Sequence, residues 1–208
     1  MRKIVLLLLS FSAFFAYGQN KRDIFNPGTQ VTWLGVDFSK AKFIGDRERL
    51  GSHSDILRLM ESINQLVINE PEKYNIGKAI GRDRIEKNIE VTLDHNANLD
   101  PADLLSNDTR DYVRLRESDI EEIISSYDFS GLSGIGLMFN IEAFSKLDES
   151  ASVWVTFIDL GTGKVLITQN LKGKPKGFGL RNYWGGSLYG IIEAIKKKEF
   201  EMWRARHS

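Results

Sequence analysis

Apolar and polar positions along the chain change their period several times, and each change marks an element. Val31-Thr32-Trp33-Leu34-Gly35-Val36-Asp37-Phe38 is rich in β-branched and aromatic residues and reads as a strand. The roughly alternating Ala41-Lys42-Phe43-Ile44 extends it. From Ser52 the period becomes helical. Ser52 and Asp55 form a Ser-x-x-Asp capping box, in which each side chain satisfies a free backbone N–H of the first turn. Ile56, Leu59, Met60, Ile63, Leu66 and Val67 then recur on one face, and Glu70-Pro71 ends the run. Ile89-Glu90-Val91-Thr92-Leu93 alternates and predicts a strand. Residues 72–88 leave open a short element at Ile76, Ala79 and Ile80 against two glycines and many charges, and 94–116, polar and acidic, predicts a long loop with one helical turn near Ala102–Leu105. A second box, Ser118 with Glu121, predicts a short helix carrying Ile120, Ile123 and Ile124.

The carboxy-terminal part predicts three strands, Gly134–Phe144, Val153–Ile158 and Lys164–Thr168. The turns between them, at 146–150 and 160–163, are short enough only to reverse the chain. A last helix is expected from Ser187, with Leu188, Ile191, Ile192, Ile195, Phe200 and Trp203 facing inward. The expected fold is α+β: a mixed sheet with a carboxy-terminal antiparallel meander, packed by two main helices. It occupies a single domain over residues 30–208, after a polar lead-in segment at 19–29. No repeat, low-complexity run or linker divides the chain.

The amino terminus reads differently. Arg2 and Lys3 precede an apolar run from Ile4 to Leu9 that continues through Phe11, Phe14 and Phe15. Ala16-Tyr17-Gly18 then places small residues at the two positions where signal peptidase admits no bulk. Residues 1–18 are expected to be a secretory signal peptide, cleaved after Gly18. A spanning helix needs about 20 apolar residues, and this run is shorter. The expected location is therefore the periplasm or the cell surface, with no transmembrane helix in the mature chain. The chain has no cysteine, so neither a disulfide nor an amino-terminal thioether lipid can form on it. Its 28 basic and 28 acidic residues balance. That balance argues against a nucleic-acid partner, which calls for a basic excess.

The order of elements, together with the phrase Phe157-Ile158-Asp159-Leu160-Gly161-Thr162-Gly163-Lys164-Val165-Leu166, resembles a group of envelope proteins. It is similar to the α/β domain of the curli-secretion lipoprotein and to the amino-terminal domain of the Tol system's periplasmic propeller protein. In those domains such a phrase closes a meander and leads toward a final helix. The resemblance implies a fold and a compartment. It transfers no catalytic residue, because the chain has neither a lipidated cysteine nor propeller repeats.

Two segments carry candidate chemistry. Residues 172–186 interleave lysines and an arginine with aromatics, glycines and a proline ahead of a helix. Cations pair with phosphate or carboxylate, aromatics stack on flat surfaces, and glycines permit close approach. Lys174, Lys176, Arg181, Tyr183 and Trp184 are the expected partner contacts. The competing reading places the aromatics in the core and the lysines in water. Asp94, Asn96, Asn98, Asp100 and Asp103 space oxygens as a calcium loop does, although Leu99 and Leu105 stand where an EF-hand has glycine and glutamate. His53, His95 and His207 are scattered, and no nucleophile elbow or phosphate loop is present. The leading expectation is a non-enzymatic envelope protein with no cofactor, binding a protein, a glycan or an anionic lipid headgroup. The alternative is a secreted carboxylate-dependent hydrolase supported by calcium.

Overall fold

A computed structural model of the chain describes residues 18–207. The expected signal peptide thus lies outside the described residues, apart from Gly18. A 3-10 turn at Lys21–Phe25 opens the fold, and it is less peripheral than its polar sequence suggests. Ile24 is buried, its carbonyl accepts from the Arg82 guanidinium at 3.0 Å, and Phe25 packs on Phe200.

The strands are β1 (Val31–Asp37), β2 (Lys42–Ile44), β3 (Glu86–Lys87), β4 (Leu105–Ser106), β5 (Ile135–Ser145), β6 (Ser150–Asp159) and β7 (Lys164–Gly173). The helices are α1 (Arg47–Leu50), α2 (His53–Asn69), α3 (Ile76–Ala79), α4 (Glu90–Ala97), α5 (Pro101–Leu104), α6 (Glu117–Ser125), α7 (Leu180–Ala194) and α8 (Phe200–His207). A π-helical turn at Ile195–Glu199 joins the last two.

Among the described residues all seven strands share one sheet, and this corrects the expected architecture. The path β3-β1-β5-β2-β4 is parallel at every step, so a parallel body replaces the expected meander as the centre of the sheet. The strands β6 and β7 are added antiparallel beyond β5. β1 and β2 lie end to end along one side of β5: Val31 stands opposite Ile135, and Lys42 opposite Ala143. The other side of β5 is taken over its whole length by β6. Parallel partners this far apart in sequence need long crossovers, which the helical segments supply.

The expected packing by two main helices is corrected as well, because helices cover both faces. The larger core lies under α2 and α7 and takes Trp33, Val36, Leu137, Phe139, Ile141, Val155 and Phe157 from the sheet. A smaller core lies under α6, where Ile120, Ile123 and Ile124 meet Leu34, Met138 and Ile158.

The expected strand at 89–93 is instead the start of α4. Its alternation is overridden by contacts with β1, because Thr92 Oγ1 donates to the Leu34 carbonyl at 2.5 Å. Asn96 accepts from Phe38 N and donates to the Val36 carbonyl. Asn64, on α2, holds the same stretch from the other side through Val36 N and O, at 2.7 and 2.9 Å. Two amides and a hydroxyl thus satisfy the edge of β1 beyond its short pairing with β3.

Candidate functional site

The last helix begins seven residues earlier than expected, at Leu180, so part of the cationic and aromatic segment is helical. What remains as a loop is 174–179, between β7 and α7. Its base is fixed by short contacts. Lys176 N donates to the Tyr183 carbonyl at 3.1 Å and Tyr183 N to the Gly179 carbonyl at 2.9 Å. Asn182 Nδ2 donates to the Phe178 carbonyl at 3.2 Å. Gly186 lies against the loop so closely that a Cβ there would stand 2.2 Å from the Lys176 carbonyl oxygen. This glycine permits close approach to the protein's own backbone rather than to a partner.

The five expected contact residues divide. Lys174 and Lys176 are exposed, with no ion pair or hydrogen bond from either side chain among the described residues. Arg181 is tied to Glu70, the residue that ends α2, at 2.6 Å, which holds the Glu70 carboxyl below the usual range. Tyr183 is half-buried with the Lys146 ammonium 3.2 Å from its ring centroid, and burial raises the phenol's pKa. Trp184 is fully buried and stacked on Phe144, with centroids 4.6 Å apart. Its expected place at a contact surface is therefore corrected: at 0% exposure it belongs to the core.

The residue that stands out in its place is Phe178, 95% exposed at the loop tip. It sits between Gly177 at φ +128° and Gly179 at φ +77°, conformations that side chains rarely adopt. The sequence holds a signal for it, a bulky apolar residue flanked by two glycines, which leave it no neighbours to pack on.

Beneath the sheet's second face runs a buried polar row that sequence reasoning missed. The Glu142 carboxylate, on β5, accepts from the backbone N–H groups of Arg114 and Leu115 at 2.5 and 2.6 Å. It also accepts from Ser152 Oγ at 2.5 Å and from Asn170 Nδ2 at 3.0 Å. Lys172 Nζ reaches Ser152 Oγ at 2.6 Å, and desolvation lowers its pKa while Glu142 opposes that shift. Further along the same face Asp37 accepts from Tyr127 Oη at 2.7 Å and from Asn140 Nδ2 at 3.1 Å. Burial, followed by the nearby Asp37 charge, raises the Tyr127 pKa. Ser152 and Glu142 have no exposed surface, and the two backbone bonds to Glu142 pin the 109–115 strap to β5.

The expected calcium ligands do not converge. Asp94 and Asn96 lie on α4, and Asn96 Oδ1 is committed to Phe38 N. Asn98 Nδ2 donates to the Asp94 carbonyl, and Asp100 caps α5 through Ala102 N. Asp103 is on α5 itself. Among the described residues no three His, Cys, Asp or Glu side chains gather into a metal site. The histidines stay apart: His53 opens α2, His95 stacks on Tyr127 at 4.3 Å, and His207 ends α8. A cleft of about 670 Å³ opens beside Gly45, Asp46, Glu48, Ser106 and Asn107. Among the described residues no helix is long and apolar enough to cross a membrane.

No family model matches the chain, and no curated protein matches it. One solved structure similar to it is the lipoprotein GNA1162 from Neisseria meningitidis. The identity is 11% and the TM-score 0.33, over 82% of this chain and 98% of that one. A likeness of that size carries no argument about fold or function.

Proposed function

We propose that the protein is exported to the cell envelope and acts there as a non-enzymatic docking protein, its contact surface being the loop between β7 and α7. Export rests on the amino-terminal pattern of Arg2, Lys3, an apolar run and Ala16-Tyr17-Gly18. The observation that carries the docking reading is Phe178, a large ring held almost wholly in solvent on a loop whose base is tightly bonded. An isolated exposed Leu or Val needs no explanation, but this ring comes with two exposed lysines within four residues. Lys174, Lys176 and Phe178 make the contact. Arg181 and Tyr183 position the loop through Glu70 and Lys146, and Trp184 anchors the helix beneath it.

The hydrolase alternative finds no support in the buried carboxylates. Asp37 and Glu142 are saturated as described, and Asp159 caps the β6–β7 turn through Gly161 N at 3.1 Å and Thr162 Oγ1 at 2.6 Å. The test is affinity capture from a detergent-solubilised envelope extract of the parent cell. Wild type should retain a component that a Lys174→Ala/Lys176→Ala/Phe178→Ala variant, folded by circular dichroism, loses. Equal retention by both proteins would sink the proposal.

A further inference from the structure

We infer, resting on the loop reading above, that what Phe178 and its lysines contact is an anionic lipid surface, and that the protein is a peripheral membrane binder. The shape of the tip points that way. Gly177 and Gly179 turn the backbone so that the ring leaves the molecule with 95% of its surface free, and Phe178 itself offers a convex point. A fluid interface closes around such a ring from all sides, and the headgroup boundary is where aromatic side chains partition. Charge agrees with shape. Lys174 and Lys176 have no carboxylate partner among the described residues; of the carboxylates near the helix start, Glu70 is paired with Arg181, and Glu149 acts on Tyr183. Each free lysine near an anionic leaflet strengthens binding about fivefold. One ring and two lysines give a reversible contact rather than a permanent anchor.

The loop's stiffness suits this role. The main-chain bonds from Lys176 to Tyr183 and from Tyr183 to Gly179 fix its base, so little order is lost on insertion. Because Phe178 touches almost nothing in its own chain, Phe178→Ala removes the inserting group and leaves the fold in place.

The experiment is co-sedimentation of the mature protein with vesicles of phosphatidylglycerol and phosphatidylcholine, compared with phosphatidylcholine alone. Wild type should partition onto the anionic vesicles at low salt. Phe178→Ala should lower the partition coefficient by roughly tenfold. Lys174→Ala and Lys176→Ala should each lower it by about fivefold, with their share erased by added salt. No partition onto anionic vesicles, or equal partition by wild type and Phe178→Ala, would overturn the inference. If the extract still yields a protein held by wild type and lost by Phe178→Ala, the lipid assignment falls and the docking loop survives. If both experiments fail, both readings fall together.

Discussion

Among single residues, Glu142 and Trp184 do structural work and Phe178 does not. Glu142 collects two backbone N–H groups, a serine hydroxyl and an asparagine amide in a place without water contact. Removing it leaves the two backbone N–H groups and the serine hydroxyl without their acceptor, while Asn170 Nδ2 keeps Ser152 Oγ at 2.9 Å, so Glu142→Ala should destabilise the protein by about 3 kcal/mol, read as a lower urea midpoint. Trp184→Ala should cost about 3–5 kcal/mol, because a fully buried indole leaves a cavity. Phe178→Ala should stay within about 0.5 kcal/mol of wild type in the same measurement. The contrast between Trp184 and Phe178 also shows where residue-level reading stops. Composition put both aromatics in one unusual segment, but which ring meets Phe144 and which meets water depends on chain more than thirty residues away.

Elements were legible where their signals are local. The Ser52–Asp55 box forms as read, with Asp55 N donating to Ser52 Oγ at 3.2 Å and Ser52 N to Asp55 Oδ2 at 2.8 Å. These bonds, with Ser52 first and Arg58 after it, lower the Asp55 pKa from 3.8 to about 2. The folded value lies below the unfolded one, so the contact's stabilisation is present above pH 3.8 and is lost as the pH falls towards about 2. Wild type should therefore lose more stability across that window than Asp55→Asn, in parallel denaturant titrations. Equal losses would contradict the cap's role. The second box does not form: α6 starts after Arg116, whose side chain has no acceptor, and only the returning half is made, with Arg116 N donating to Asp119 at 2.8 Å. The expected strand at 89–93 failed for a non-local reason: Thr92 and Asn96 are drawn to the backbone of β1, and only the folded chain brings those groups together. Gly186 belongs at this scale too. Gly186→Ala would force α7 away from the Lys176 carbonyl, at a cost of about 1–3 kcal/mol, and should weaken docking even though the residue is half-buried.

For the whole molecule, anchorage at both ends explains why the loop can be both exposed and held. β5 is flanked by β1 and β2 on one side and by β6 on the other, and it carries apolar side chains to a core on each face. β7 leaves this sheet directly into the loop, and α7 returns over the larger core, so both ends of 174–179 are anchored. Parallel pairing was hidden from the sequence because β1 meets β5 across about a hundred residues and no local pattern encodes a partner. The resemblance phrase at 157–166 is accounted for locally, since Asp159 caps its own turn and Gly163 takes φ +68° there.

The central claim, that the loop tip is the contact surface, is tested most directly by photo-crosslinking in the parent cell. A light-activated phenylalanine analogue would be placed at position 178 and, as a control, at position 113, where Val113 is 61% exposed on the strap. Adducts to lipid or protein at 178, with none at 113, are the predicted result. No adduct at 178, or the same adducts at both positions, would contradict the account.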